Sequence, residues 1–600
     1  MRLRVIPARL LLVTVLVVLG GNVLATAQTA AAGTGLRFEI SFPRQANATP
    51  LDGRILLLIS NNDRAQPRFQ ISGENPVESQ QMFGVDVEGL APGTAAVVDS
   101  STLGYPAESL NKVPAGDYWV QGLINIYETF HLANGHTVKL PPDKGEGQHW
   151  QVKPGNLYSR PLKVHLDPNS AQMVRITLSE KIPPVEEEAQ DVYAILDGWV
   201  KLPEEPIVDN KWVKHLRIQS KLLSQFWGRP MYLGAIVLLP EGWEEHPNAR
   251  YPLVVQQTHF HRDISEFAPF RTQPPPAGIK DPEAQLAAKY GYKFFQDWTA
   301  GRLPRVIILQ IQHANPYFDD SYAVNSANLG PYGDAITQEL IPYIEQKFRA
   351  IGQGWARAVF GGSTGGWEAL SSQVFYPDFY NGAWVFCPDV VDFRAYVTTN
   401  LYDDENAYFV EGPYGRVERP GARKPDGLVL STMEQNNRYE LVLGTKSRSG
   451  DQFDIWQAVF SPAGDDGYPK EIYDQRTGKI DHEVAAYWRD HYDLSHILQR
   501  DWKTLGPKLA GKMHFYVGEA DTYYLDRATH LLHDFLENTN DPYYHGTFDF
   551  GMRRPHCYTG GSDPNQKVNN LTTTQRVLPE MVEHMEKTAP KEADVKSWKY

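Results

Sequence analysis

A serine, a carboxylate and an imidazole spaced far apart in this chain, Ser363, Asp521 and His556, are the three groups that nucleophilic acyl chemistry requires. A serine hydroxyl is a poor nucleophile near neutrality until a histidine takes its proton. The imidazole in turn needs a carboxylate to fix its tautomer and stabilise its charged form. Ser363 stands out because Gly361-Gly362-Ser363-Thr364-Gly365 follows the apolar run 356–360 and precedes 367–374, which has helical composition. Strand, G-x-S-x-G, helix is the layout of a nucleophile elbow, and the small flanking residues let a sharp turn pass close to its neighbours.

The remaining groups follow in the order serine, acid, histidine. Val517-Gly518-Glu519-Ala520-Asp521 closes an apolar run and places Asp521 at a strand end, with Glu519 and Asp526 as fallback acids. Phe548-Asp549-Phe550-Gly551 reads as a last strand, and the loop after it carries His556 as the base. His530 and His533 lie on an apparent helix and His545 precedes the last strand, so these three read as ordinary surface or helix residues. A negative charge developing on a carbonyl oxygen needs prealigned donors. The elbow offers the N–H of Thr364; a second is expected from the backbone of Thr258, His259 and Phe260, in the polar loop after the strand 251–255. Gly362, Trp367 and His261 are substrate-pocket candidates.

The elements that must position these groups are short buried strands at 232–240, 251–255, 306–311, 356–360, 383–386 and 514–517, alternating with amphipathic helices. That alternation predicts an α/β fold, a mostly parallel sheet covered on both faces. One helix precedes the elbow, with Ile336, Leu340, Ile344 and Phe348 at i+4 spacing and Pro342 marking a kink or restart. Upstream, Leu36, Phe38, Ile40 and Phe42 alternate, as do Val174, Ile176 and Leu178, with turn clusters between. An all-β, sandwich-like module over 34–180 is expected there. Its aromatics Trp119, Tyr127 and Trp150 suit either its core or a carbohydrate surface. Lys181-Ile182-Pro183-Pro184 and three glutamates mark a linker over 181–192, so the second domain spans 193–595. Residues 388–505 exceed what that domain requires and are read as a lid insertion.

Residues 1–27 carry Arg2, Arg4 and Arg9, an apolar stretch and Ala25-Thr26-Ala27, the pattern of a cleaved signal peptide, which implies a secreted or periplasmic protein without a membrane span after cleavage. A net charge of −14 disfavours nucleic acid and anionic membranes as partners. Two cysteines, Cys387 and Cys557, permit at most one bridge in an exported chain. Oligomeric state leaves no trace in the sequence.

From about Leu216 to His556 the chain resembles the esterase branch of the α/β-hydrolases that includes enterochelin esterase and esterase D. The matching pieces are Val237-Leu238-Leu239-Pro240-Glu241-Gly242-Trp243, Glu339-Leu340-Ile341-Pro342-Tyr343-Ile344-Glu345, the elbow, and Tyr376-Pro377-Asp378-Phe379-Tyr380. The resemblance implies an α/β-hydrolase domain, a serine carboxylesterase acting without cofactor through an acyl-enzyme on Ser363, and a small-molecule or carbohydrate-linked ester as substrate. Esterases of this group show His-Gly or glycine-rich sequence where this chain has Gln257-Thr258-His259-Phe260. His556-Cys557 resembles half of the disulfide-braced triad of feruloyl esterases and tannases; the other half is missing, because Gly362 precedes Ser363. A Cys387–Cys557 bridge and two free thiols both remain open. Three alternatives stand beside the esterase reading. One is a secreted serine peptidase; another is an inactive binding module. The third is a metal-dependent hydrolase using His259, His261 and Asp263, whose Thr-His-x-His-x-Asp resembles the metallo-β-lactamase motif but ends in Ile264 instead of histidine.

The export reading has a direct check: the secreted protein is expected to begin near Gln28 on N-terminal sequencing, and retention of Met1 overturns it.

Overall fold

The computed structural model describes residues 35–184, 209–261 and 269–600. The export segment 1–27, most of the linker read at 181–192, and Asp263 lie outside the described residues.

Eight strands build the sheet that carries the site: β1 (Val213–Ser220), β2 (Met231–Leu238), β3 (Leu253–Gln257), β4 (Ile307–Gln312), β5 (Arg357–Gly362), β6 (Ala383–Phe386), β7 (Met513–Gly518) and β8 (Thr547–Gly551). Their order across the sheet is β1-β2-β4-β3-β5-β6-β7-β8. β2 runs antiparallel to both its neighbours and every other pairing is parallel. The sequence reading lacked β1, whose Lys214, His215, Arg217 and Gln219 leave no apolar run on this edge strand.

Both faces are covered, which is why the inner strands read as continuous apolar runs. Ala235, Val237, Val255, Leu309 and Val359 enter one core, while Ile236, Leu238, Val254, Ile308 and Phe360 enter the other. The second core is closed by α1 (Pro282–Thr299), through Phe294 and Trp298, and by the helix Thr573–Thr588, through Leu578 and Met581. On the first face lies the helix before the elbow, where Ile336, Leu340, Ile344 and Phe348 are all buried. Pro342 opens its last segment, Ile341–Phe348, directly after a wider π-type turn over Ile336–Leu340, so the proline marks a restart.

Upstream, a three-stranded sheet and a larger mixed-length sheet share one apolar core that includes Phe38, Ile40, Ile55, Leu57, Val174 and Ile176. The first strand pairs in parallel with Met173–Thr177. Tyr127 and Trp150 are buried, so neither presents a surface to carbohydrate.

The strand Leu51–Ser60 explains why residues 55–59 are unbrokenly apolar. Ile55, Leu57 and Ile59 face the sandwiched core, whereas Leu56 and Leu58 face outward against Val442 and Leu443. Those two belong to the end of α3 (Met433–Leu443), which follows α2 (Thr364–Phe375) and precedes α4 (Gln452–Phe460). Arg54 seals the seam by donating to the carbonyls of Val442 (2.9 Å) and Leu441 (3.0 Å) while pairing with Asp86 at 3.2 Å. The described residues from Gly35 to Tyr600 accordingly form one compact unit.

Truncating Leu58 to alanine removes a fully buried side chain from this seam and is expected to cost about 2–5 kcal/mol. The loss should show as a lower urea midpoint; an unchanged midpoint would mean that the outward face is not packed in solution.

Candidate active site

Ser363 leaves β5 and heads α2 with φ 58° and ψ −124°, a left-handed geometry that a non-glycine residue holds only where its surroundings over-determine it. Its N–H donates to Phe386 O (3.1 Å), and its carbonyl accepts from the N–H groups of Gly366 (2.9 Å), Trp367 (3.1 Å) and Asp389 (3.2 Å). The glycines are there for clearance. A Cβ on Gly361 would sit 2.3 Å from Gly365 O, one on Gly365 2.1 Å from Gln257 O, and one on Gly366 2.4 Å from Phe386 O.

The structure brings Ser363, His556 and Asp521 together from across nearly two hundred residues. His556 Nε2 lies 2.8 Å from Ser363 Oγ, and His556 Nδ1 lies 2.7 Å from Asp521 Oδ2. Asp521 is fully buried at the end of β7, and its other oxygen accepts from the N–H groups of Tyr523 (2.9 Å) and Leu525 (3.3 Å). His556 sits in the loop after β8, with its N–H donating to Thr522 Oγ1 and its carbonyl accepting from Gln566. Burial disfavours the imidazolium, but Cys557 and Asp521 beside it outweigh that and hold the His556 pKa well above the ordinary histidine value.

The backbone N–H of Thr364 opens α2 next to Ser363. The chain leaving β3 passes over the same turn, with Thr258 N 3.2 Å from where a Gly365 Cβ would be. His259 Nδ1 is 2.8 Å from Asp320 Oδ2, and His259 borders the cavity above Ser363.

That cavity, about 540 Å³, is walled mainly by residues between Asp389 and Trp456, including Asp389, Tyr439, Gln452 and Phe453. Gly73 and Glu74 close it from the upstream β-module, and Glu74 Oε1 accepts from Tyr523 Oη (2.8 Å), whose ring stands edge-on to His556 at 5.0 Å.

Several sequence-derived candidates fall elsewhere. Trp367 is completely buried beneath the elbow against Tyr322 and Phe460, so it supports α2 and does not meet substrate. Gly362 is buried within β5, and His261 does not line the cavity; its carbonyl accepts from Gln312. Among the described residues His259 and His261 join no cluster of three metal-ligating groups; the one such cluster is Cys387, His556 and Cys557. Cys387 and Cys557 are not joined by a disulfide in this structure, and their sulfurs lie within 4.8 Å of each other. Asp526 is engaged by Arg423 at 3.1 Å, and His530 stacks on Phe550 at 4.2 Å.

Asp389 was missed. It lies three residues beyond β6, at the carboxyl end of the strand beside the elbow strand, and that placement was its only signal. Its Oδ2 accepts from Tyr322 Oη (2.5 Å), Thr364 Oγ1 (2.9 Å) and Gln452 Nε2 (3.0 Å), while Oδ1 is 3.4 Å from Ser363 Oγ. Burial pushes its carboxyl pKa up, opposed by hydrogen bonds from Tyr322 and Thr364. Asp320 and Glu74 gave no sequence signal, since each becomes meaningful only through a partner remote in the chain.

Residues 228–430 match the family model described as "Putative esterase". Solved structures similar to this chain include a ferulic acid esterase, 14% identical with TM-score 0.33, covering 62% of this chain and 100% of that one. An S-formylglutathione hydrolase from Agrobacterium tumefaciens is 13% identical with TM-score 0.29, covering 62% and 94%. Dipeptidyl peptidase 4 from Porphyromonas gingivalis is 12% identical with TM-score 0.32, covering 84% and 53%. No curated protein matches.

A base must be neutral to accept a proton, so kcat/KM for an ester is expected to rise with pH through an apparent pKa above the ordinary histidine value of about 6.5. In Cys557→Ala, which removes one of the influences raising the His556 pKa, the acid limb should move to lower pH; a shift to higher pH contradicts the assignment.

Proposed function

We propose that this chain, a carboxylesterase-type hydrolase carrying an esterase-family domain over residues 228–430, cleaves carboxylic esters through an acyl-enzyme on Ser363. The observation that carries the reading is the continuous hydrogen-bonded line Ser363 Oγ, His556, Asp521 at the floor of a cavity. His556 Nε2 takes the hydroxyl proton as Ser363 Oγ attacks the carbonyl carbon. Asp521 holds the imidazole in the tautomer that leaves Nε2 free to accept and stabilises the imidazolium that results. The carbonyl oxygen, now negative, is received by the Thr364 N–H and by the backbone of 258–260. His556 returns its proton to the departing alcohol, and water, activated by the same imidazole, releases the acid and restores Ser363.

Export fits this reading, since such a mechanism needs no diffusible cofactor, and the signal-like segment 1–27 supports it. No helix among the described residues is long and apolar enough to cross a membrane.

Ser363→Ala is expected to lower kcat for p-nitrophenyl acetate by about 10⁴-fold or more, and a fluorophosphonate should label Ser363 in the native protein alone. Undiminished turnover by Ser363→Ala, or inactivation by chelator with no labelling, would sink the mechanism.

A further inference from the structure

The cavity above Ser363 has an unusual charge balance. Four carboxylates, Glu74, Asp389, Glu440 and Asp451, line it, and among the described residues no lysine or arginine does. Three of the four are occupied by protein. Glu440 accepts the N–H groups of Phe453 (2.8 Å) and Asp454 (2.6 Å), Asp451 caps α4 through Gln452 N (2.9 Å), and Glu74 receives Tyr523. Burial drives the Glu440 pKa well above the usual carboxylate range and the Asp451 pKa up to about 6.

Asp389 differs from them. It is 3% exposed, and three neutral donors, from Tyr322, Thr364 and Gln452, converge on Oδ2. Among the described residues Oδ1 has one hydrogen-bonding contact, a long one from Ser363 Oγ at 3.4 Å, and that hydroxyl also lies 2.8 Å from His556 Nε2. A carboxylate oxygen buried against the cavity and held only by a 3.4 Å contact carries a desolvation cost that a ligand can offset.

The position of Oδ1 limits which part of an ester could reach it. Once Ser363 Oγ has approached the carbonyl carbon, the leaving oxygen must face His556 Nε2 and the carbonyl oxygen must face the Thr364 N–H. The acyl α-carbon is the substituent left to turn toward Asp389. Phe453, Trp456 and Tyr439 also line the cavity, and aromatic rings are favourable neighbours for a cation.

We infer that Asp389 is a specificity-determining residue that binds a protonated amine on the acyl α-carbon, so that the preferred substrates are α-aminoacyl esters, with Glu74 adding negative potential at the mouth. The inference rests on the Ser363 reading of the preceding section and names the substrate class of that site. A charge-assisted hydrogen bond in such a setting is expected to favour an aminoacyl ester by about 10-fold to 100-fold over its amine-free counterpart.

The test is kcat/KM for the benzyl esters of alanine, lactic acid, propionic acid and N-acetylalanine, followed by release of benzyl alcohol. Wild type should prefer alanine over propionate by at least about tenfold, with lactate between them and N-acetylalanine low. Asp389→Asn should bring the alanine-to-propionate ratio to near one, mainly through KM, and Glu74→Gln should reduce it by a smaller factor. Equal rates on alanine and propionate esters in wild type, a lactate ester as good as the alanine ester, or a ratio unchanged in Asp389→Asn each overturn the inference while leaving the esterase reading standing. Absence of turnover of every ester by wild type overturns the esterase reading itself. Should Asp389→Asn fail to fold, the wild-type panel decides alone, because the order of the four esters does not depend on a variant.

Discussion

The site depends on how closely three backbones approach one another at Ser363. β3, β5 and the segment leaving β6 meet where Gly361, Gly365 and Gly366 leave no space for a Cβ, the tightest approach being 2.1 Å to Gln257 O. Only there can Ser363 hold a positive φ, because its N–H and carbonyl are pinned to Phe386, Gly366, Trp367 and Asp389. Trp367, fully buried against Tyr322 and Phe460, anchors the first turn of α2 from below. The strained residue is thus held by a rigid frame, and the frame sets where the imidazole loop and the cavity must lie.

Three buried acids surround that frame and behave differently because of what faces them. Asp521 meets His556 and two backbone N–H groups, which makes it an orienting partner for the imidazole. Asp320 meets His259 and the N–H of Tyr322, so it holds the polar loop after β3 over the elbow. Asp389 meets neutral donors on one oxygen and Ser363 Oγ on the other. Residue type is the same in all three; the partner decides the role.

The parts of this arrangement that local chemistry dictates were legible in the sequence. The elbow announces itself through its glycines, buried strands through unbroken apolar runs, and the order of acid and histidine through strand-end positions. What stayed hidden depended on long-range pairing. β1 was invisible because an edge strand can be polar, and Trp367 misled because an aromatic one turn past a nucleophile is as readily a floor as a wall. Cys387 and Cys557 could be placed near each other from the sequence, but their oxidation state could not, and no disulfide joins them in this structure. Glu74 had no reason to attract notice until Tyr523 met it from 449 positions away.

That last contact has a consequence for how such a protein can vary. The loop bearing Gly73 and Glu74 carries none of the bond-breaking groups, yet it forms part of the wall around them. Insertions, deletions or substitutions in that loop can therefore retune which molecules fit without disturbing the elbow, so recognition and reaction are encoded in stretches of polypeptide that can diverge independently. The apolar seam of Leu56 and Leu58 against Val442 and Leu443 keeps the two in fixed alignment while they do so.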